Sequence, residues 1–378
     1  MSARKHRGFS LVELMVAMVI SVIIVDAAVS LFLANRQTGN TTAATSAIAD
    51  NGRIAMSFIS EAVRSGGYMA CNATNDVRAI VTGQTRQISI ISPGPTPVQR
   101  NYLQAFGGYE AAGTLPNNAV AFAIAKPPVL ADGTAGDWIN AGGLDAALVG
   151  KVTKGSDVLV VRESLPQSTP IYTTSYYATG SGIPTLNVDT VGTLTPGQYA
   201  VISDCSFSTA FQVGAVNAGA LTIGTAGAQD LFGGDLKLSY TNPASITPVN
   251  MYIYFIGPGR DTDSSLWVYD ESQGPPPAGF FELVPDVENM QVLYGIAPTN
   301  PNQATQYVTA DAVVDFNQVV AVKVALLVAS PLNASSVQTA TALTVQNFSL
   351  LYTTVTPPLD ARLRKVFDTT IAVRSAAL

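Results

Sequence analysis

From Phe9 to Ala34 the chain runs for 26 residues without a lysine or arginine, FSLVELMVAMVISVIIVDAAVSLFLA. As a helix this run is about 39 Å long, enough to cross the ~30 Å hydrocarbon core of a bilayer with tilt. Arg4, Lys5 and Arg7 precede it, and the positive-inside bias then keeps the N-terminus cytoplasmic and sends the remainder across. A secretory signal has a shorter apolar core closed by a small-x-small cleavage site. Here Ala34-Asn35-Arg36-Gln37 follows and the helical pattern continues, so the run reads as retained. Two acids interrupt it, Glu13 and Asp26. A charge at the bilayer centre costs about 2.5–3.5 kcal/mol on insertion scales, and less toward the edge. Asp26 lies about 20 Å beyond Glu13 along the axis, where it reads as sitting at the far membrane edge or accepting a partner's hydroxyl. The edge is the reading favoured from sequence.

The remaining composition points away from chemistry. Charged residues make up 12% of the chain, about half the usual share. Net charge is −6, and removing Arg4, Lys5 and Arg7 leaves 17 basic against 26 acidic residues, net −9. Such an acidic chain is poorly suited to a phosphate backbone, so no nucleic-acid partner is expected. The one histidine, His6, lies in the basic leader. Without it the chain lacks the base for Ser-His-Asp or Cys-His catalysis and the usual zinc ligand, so neither an enzyme nor a cofactor is expected. Cys71 and Cys205 both follow the apolar run. In an oxidising compartment they read as a disulfide, contributing about 5 kcal/mol in the chain-entropy model, or as two independent buried thiols.

Helical spacing continues beyond the apolar run. Ile48, Ala55, Phe58, Ile59, Ala62 and Val63 form a narrow stripe opposite Asp50, Arg53, Ser57, Glu61 and Arg64. Ser65-Gly66-Gly67 is a C-terminal stop. Gly39, Gly52 and the NTTAAT stretch weaken the helix, with bending expected near Gly39-Asn40. From Arg86 onward short Val-, Ile-, Phe- and Tyr-rich runs predict strands: RQISIIS, NAVAFAI, SDVLVVR, YAVIS, FSTAFQV, LKLSY and NMYIYFI. In QVVAVKVALLV, Val320, Val322, Val324, Leu326 and Val328 share one apolar face, as a central strand under a helix requires. SPGPTP (92–97), KPPV (126–129) and QGPPPAG (273–279) predict loops.

GFSLVELMVAMVI resembles the type IV pilin N-terminus, on Gly8, Phe9, Ser10, Leu11, Glu13, Leu14 and Met15. That resemblance implies cleavage by a prepilin peptidase after Gly8, methylation of the new N-terminal Phe9, and a role for Glu13 in subunit assembly opposite a neighbour's N-terminal amine. NGRIAMSFISEAVRSGGYMAC, ISDCSFSTAFQV, FIGPGRDTDSSLWVYDE, FELVPDVENMQVLYGI, FNQVVAVKVALLVAS and DARLRKVFDTTIAVR resemble PilW-type minor pilins, which implies pairing of Cys71 with Cys205. The resemblance is strong over residues 1–75, good over about 250–374 and weak over 80–245. It implies an α+β lollipop: a leader (1–8), a transmembrane and assembly helix (9–34), its amphipathic continuation (35–66), and a large antiparallel β-rich periplasmic head (67–378) whose middle, about 80–245, is variable. The implied function is a minor pilin that starts type IV pilus assembly near the tip. It would be a single-pass inner-membrane protein before assembly and then surface-exposed. The implied partners are the prepilin peptidase, other minor pilins, the major pilin and a tip adhesin. The alternatives are a J-type pseudopilin of type II secretion and a binding module built on residues 80–245.

Three clusters in the head invite other readings. Asp261 and Asp263 in GRDTDSS have the spacing that opens some calcium loops, but lack an EF-hand's later glycine and glutamate; a hairpin loop explains them equally well. Asp270, Glu271, Glu282, Asp286 and Glu288 near Trp267 and Tyr269 could line a sugar cleft, but are expected on a solvated sheet edge. Arg362, Arg364 and Lys365 read either as a docking patch for an acidic neighbour or as a charged, aggregation-resistant edge.

Overall fold

A computed structural model describes residues 10–69, 72–73, 80–81, 84–85, 88–91, 102, 104–134, 136–139, 144, 147–165, 167–175, 185–204, 208–223, 243–274, 278–297, 303–331 and 345–373. One helix, α1 (Leu11–Ser65), spans 55 residues without a break. Ser10 caps its start and Gly66 its end. The Ser65 hydroxyl donates to the carbonyls of Glu61 and Ala62, while Gly67 turns out at φ 82° and its N–H donates to the Arg162 carbonyl. The weak stretch near Gly39 is continuous helix. Thr38, Thr41, Thr42 and Thr45 each donate their hydroxyl to the carbonyl four residues back, at 2.8–3.0 Å, so side chains that could compete with the helix are satisfied inside it.

The head is built from antiparallel strands in two principal sheets. The larger, of eleven strands, is organised around a long strand β3 (Ser245–Gly257). Along one edge β3 pairs with β2 (Tyr199–Ser203) and, further on, with β4 (Ser265–Asp270), which pairs in turn with β5 (Phe280–Pro285); along the other edge it pairs with β1 (Val158–Ser164). The smaller sheet, of four strands, runs from a short strand (Gln306–Val308) through β6 (Val287–Ile296) and β7 (Val319–Ala329) to β8 (Arg364–Ala372), with β6 and β7 internal. Two short pairings are parallel: Ser208–Asn217 with Ile88–Ile91, and Thr353–Thr356 with Phe122–Ala123. As expected, Val320, Val322, Val324, Leu326 and Val328 of β7 join the core under α1. The opposite face is buried too: Ala325 and Leu327 pack against Leu350 and Val355.

Several expected strands move. YAVIS is a strand residue for residue. NAVAFAI yields only Phe122–Ala123, because the segment before it is turns. LKLSY and SPGPTP lie outside the described residues.

β5 and β6 are consecutive, and one residue separates the two sheets. Asp286, at φ 61°, occupies the left-handed region that aspartate tolerates better than most side chains. Its N–H donates to Ser264 O beside β4, and its carbonyl accepts from Ala329 N at the end of β7. The helix reaches the same spot, where Asn51 Nδ2 donates to Pro285 O at 3.2 Å. Helix and both sheets therefore meet at Pro285–Asp286.

Candidate functional site: the projecting helix and its seat

Leu11 to Leu33 contains no buried residue, and its large apolar side chains are between 50% and 76% exposed. Its best 18-residue window has mean hydropathy 2.6. The first buried helical residue is Ala44, followed by Ile48, Gly52, Ala55, Ile59, Ala62 and Val63. The 4-4-3-4-3 spacing from Ala44 to Ala62, with Val63 beside it, is a single helical face. Phe58, expected in the stripe, is 40% exposed, and Gly52 takes a place in the stripe instead. A Cβ on Gly52 would lie 2.4 Å from the Phe367 ring of β8. The glycine read as a helix weakener is thus the notch into which the last strand packs.

At the other end, Glu13 and Ser10 form a reciprocal capping box: Ser10 N donates to Glu13 Oε2 at 3.0 Å and Glu13 N donates to Ser10 Oγ at 3.3 Å. Two end amides are satisfied, and a carboxylate in the first turn complements the helix dipole. Glu13 Oε1 accepts no hydrogen bond within the described residues. The cap fixes the acid's rotamer while leaving this oxygen for an outside donor. Asp26 stands on an exposed stretch with apolar neighbours on both sides. Gly8, Phe9, Cys71 and Cys205 lie outside the described residues.

The charged clusters of the head resolve into structure. Arg362 and Arg364 are buried, their side chains 2% and 4% exposed, so neither a docking patch nor a solvated edge describes them. Arg362 donates through Nε to Ser330 O at 2.6 Å and through Nη2 to Asp286. Arg364 grips two carboxylates bidentately: Glu288 at 2.7 and 3.0 Å, and Asp360 at 2.7 and 2.9 Å. Burial pushes the Asp286 carboxyl up, with Arg362 pulling against it. Burial also works to raise Asp360, but Arg364, the Arg362 amide and Lys126 together hold it below the ordinary carboxylate range. Only Lys365 of the basic trio is exposed, and its Nζ lies 5.2 Å from the Phe367 ring centroid. This cluster clamps the β5–β6 switch on which the helix sits.

The acids expected on one sheet edge are divided. Asp286 and Glu288 belong to the clamp. Asp270 accepts from Asn250 and Ser272, Glu271 from the Tyr102 hydroxyl, and Glu282 from the Ser265 hydroxyl. These contacts divide the five acids among separate structural roles. Asp263 is taken by Lys126 at 2.8 Å and Arg362 at 3.5 Å while Asp261 is exposed, and the described residues contain no group of three or more acidic, histidine or cysteine ligands placed for a metal. The hairpin-loop reading of GRDTDSS suits this arrangement.

Two buried acids have no forerunner in the sequence pattern. Asp157 accepts from Ala111 N at 3.0 Å and Val292 N at 2.8 Å, tying β1 to β6. Beside it Glu110 is 1% exposed, and neither carboxyl oxygen has a hydrogen-bond partner. A carboxylate without partners in such a place is prohibitively costly, so the group is held protonated. Burial first, then Asp157 and Asp311, push its pKa up. A third missed group is Arg162, buried under the helix end, whose Nη1 donates to the carbonyls of Gln104 and Phe106 at 2.9 and 2.8 Å; burial lowers its pKa to about 10. These groups sit in strand-like sequence, where only the fold reveals their burial.

Residues 253–375 match the family described as Type IV Pilus-assembly protein W, and residues 3–25 match the prokaryotic N-terminal methylation motif. The first match covers β4 to β8 and the clamp; the second covers the capping box and most of the exposed apolar run. No curated protein matches the chain. Among solved structures a type IV-like pilin from Thermus thermophilus aligns at 17% identity over 48% of this chain and 85% of its own, with a TM-score of 0.19, a likeness too slight to bear on fold or function.

Proposed function

For this chain, a type IV pilin-like protein of the PilW type, we propose the role of a minor pilin that starts pilus assembly near the tip. It is a pilus-assembly-related pilin with a methylation motif, a structural component rather than an enzyme. In the proposed route the prepilin peptidase cleaves after Gly8, Phe9 becomes the methylated N-terminus, and residues 9–34 hold the protein in the inner membrane with residues 67–378 on the periplasmic side. Residues 35–66 carry the helix onto the head, and Cys71 pairs with Cys205.

The observation that carries this reading is the exposed run Leu11–Leu33, which nothing among the described residues of the head covers. Lipid satisfies it before assembly, and the helices of other minor and major pilins satisfy it afterwards. Glu13 supplies the register. Its capping box aims the carboxylate, and a neighbour's N-terminal amine neutralises it, so a charge that is costly in hydrocarbon becomes favourable only on docking. The large head, 312 residues after Gly66, suits the end of a fibre better than its repeating shaft. Mass spectrometry of the mature N-terminus is expected to find methylated phenylalanine from position 9. Deleting the chain is expected to lower surface piliation while major pilin synthesis continues; unaltered piliation would overturn the role.

A further inference from the structure

Asp26 fits neither membrane position offered by its own chain. If hydrocarbon begins at Leu11, Asp26 lies about 22 Å in, some 8 Å short of the far boundary of a ~30 Å core. If Asp26 marks that boundary, Val29, Leu31, Phe32 and Leu33 stand in water, each at least 50% exposed and none covered by the described residues of the head. One arrangement removes both costs: a second helix that covers the apolar residues around Asp26 and brings it a cation.

The faces of α1 indicate where that helix lies. At about 100° per residue, Asp26 falls within roughly 20° of the line through Ala44, Ala55 and Ala62, the residues buried against the head, and about 140° from Glu13. Val19, Val22, Val29 and Leu33 share the Asp26 face and are all exposed. The neighbour that meets Glu13 therefore cannot also meet Asp26. The Asp26 face continues the head-packing face downward, leaving a slot beneath the head.

We infer that Asp26 selects a specific neighbour: an apolar helix of another pilin-like subunit, carrying a lysine or arginine at the depth of Asp26, packs in the slot beneath this chain's head. The inference rests on the assembly reading above and adds to it a second, chemically distinct helix contact. A cation is the donor that neutralises a carboxylate in hydrocarbon, and an apolar helix is what the surrounding valines and leucine accept.

The test places a photo-crosslinking amino acid at Val22, on the Asp26 face, or at Ile20, on the Glu13 face, in the full-length chain within piliated cells. Crosslinked peptides are then identified by mass spectrometry. The Val22 probe is expected to capture the apolar N-terminal segment of a pilin-like chain containing a lysine or arginine. Asp26→Leu should lower that yield about three- to thirtyfold, the range an interhelical polar contact supplies, while Asp26→Glu retains it and the Ile20 capture is unaffected. An undiminished yield in Asp26→Leu, or a captured segment without a cation, overturns this inference and leaves the assembly role standing. Capture of no pilin segment from either position overturns both. The head lies clear of residue 26, so an unchanged melting temperature of the variant separates lost docking from lost folding.

Discussion

The two halves of α1 are one continuous helix with opposite dependencies. From Ala44 to Val63 its buried face is small and shaped: Ala44, Gly52, Ala55 and Ala62 let strands approach closely, and Ile48, Ile59 and Val63 fill the space between. From Leu11 to Leu33 large apolar side chains point in every direction, and none is buried. A half whose partner is encoded in the same chain can be cut to fit it. A half that, on the assembly role proposed above, meets lipid first and other helices later must be apolar all round, and that role confines its specificity to rare polar positions such as Glu13 and Asp26. Shape specifies the upper half, and isolated charge specifies the lower.

The contrast can be broken most severely at the seat of the upper half. Arg362→Met leaves Asp286 without its cation in a buried junction, and a loss of about 3–5 kcal/mol is expected in denaturant unfolding of the detergent-solubilised chain; a change below 1 kcal/mol would show that the clamp does not hold the sheet switch. A smaller effect separates the two glycines. Gly52→Ala drives a methyl into the Phe367 ring and should cost about 1–3 kcal/mol. Gly39→Ala meets nothing within 4 Å and should gain up to about 1 kcal/mol from helix propensity. Equal effects at the two sites would erase the distinction between halves.

A third measurement reads the buried acid away from the helix. Glu110 has a folded-state pKa raised chiefly by burial, so folding takes up a proton that the unfolded chain has already released. Its stability contribution is fully present below about pH 4.3, the ordinary glutamate value, and is lost as pH rises toward the raised folded value, at up to about 1.4 kcal/mol per pH unit. Glu110→Gln should flatten that decline between pH 5 and 8; a wild-type slope in the variant would mean Glu110 is ionised in the fold. The smallest effect is expected in the lower half. Ile23→Ala should shift head stability by less than about 0.5 kcal/mol, since Ile23 touches nothing in the head, and a larger shift would reveal an internal contact for this half.

Local signals carried the helix. The apolar run, the helical spacing after it and the paired glycines at its end each act within one or two turns, so they are readable in order along the chain. Val320 to Val328 was legible for a similar reason, since alternation is imposed by the pleat itself. The clamp was not. Arg362 and Arg364 look like solvated charge because two of their carboxylates, Asp286 and Glu288, lie 76 residues earlier, and only the pairing of β7 with β6 and β8 brings them together. Gly52 was misjudged for the same reason: helix propensity is a property of the segment, whereas its use depends on Phe367 more than three hundred residues away. Glu110 and Asp157 were invisible, because one acid beside a strand gives no hint that the next strand will enclose it.

The unbroken passage of α1 from bare shaft into protein core has a mechanical consequence. In the assembly proposed above, a fibre under tension pulls on the lower end of this rod, and no hinge between Leu33 and Ala44 takes up the strain. The load arrives directly at the seam where Gly52 grips Phe367 and Asn51 holds Pro285, so the weakest link under traction is that seam against the last strand, and the head is built to be hauled by its core.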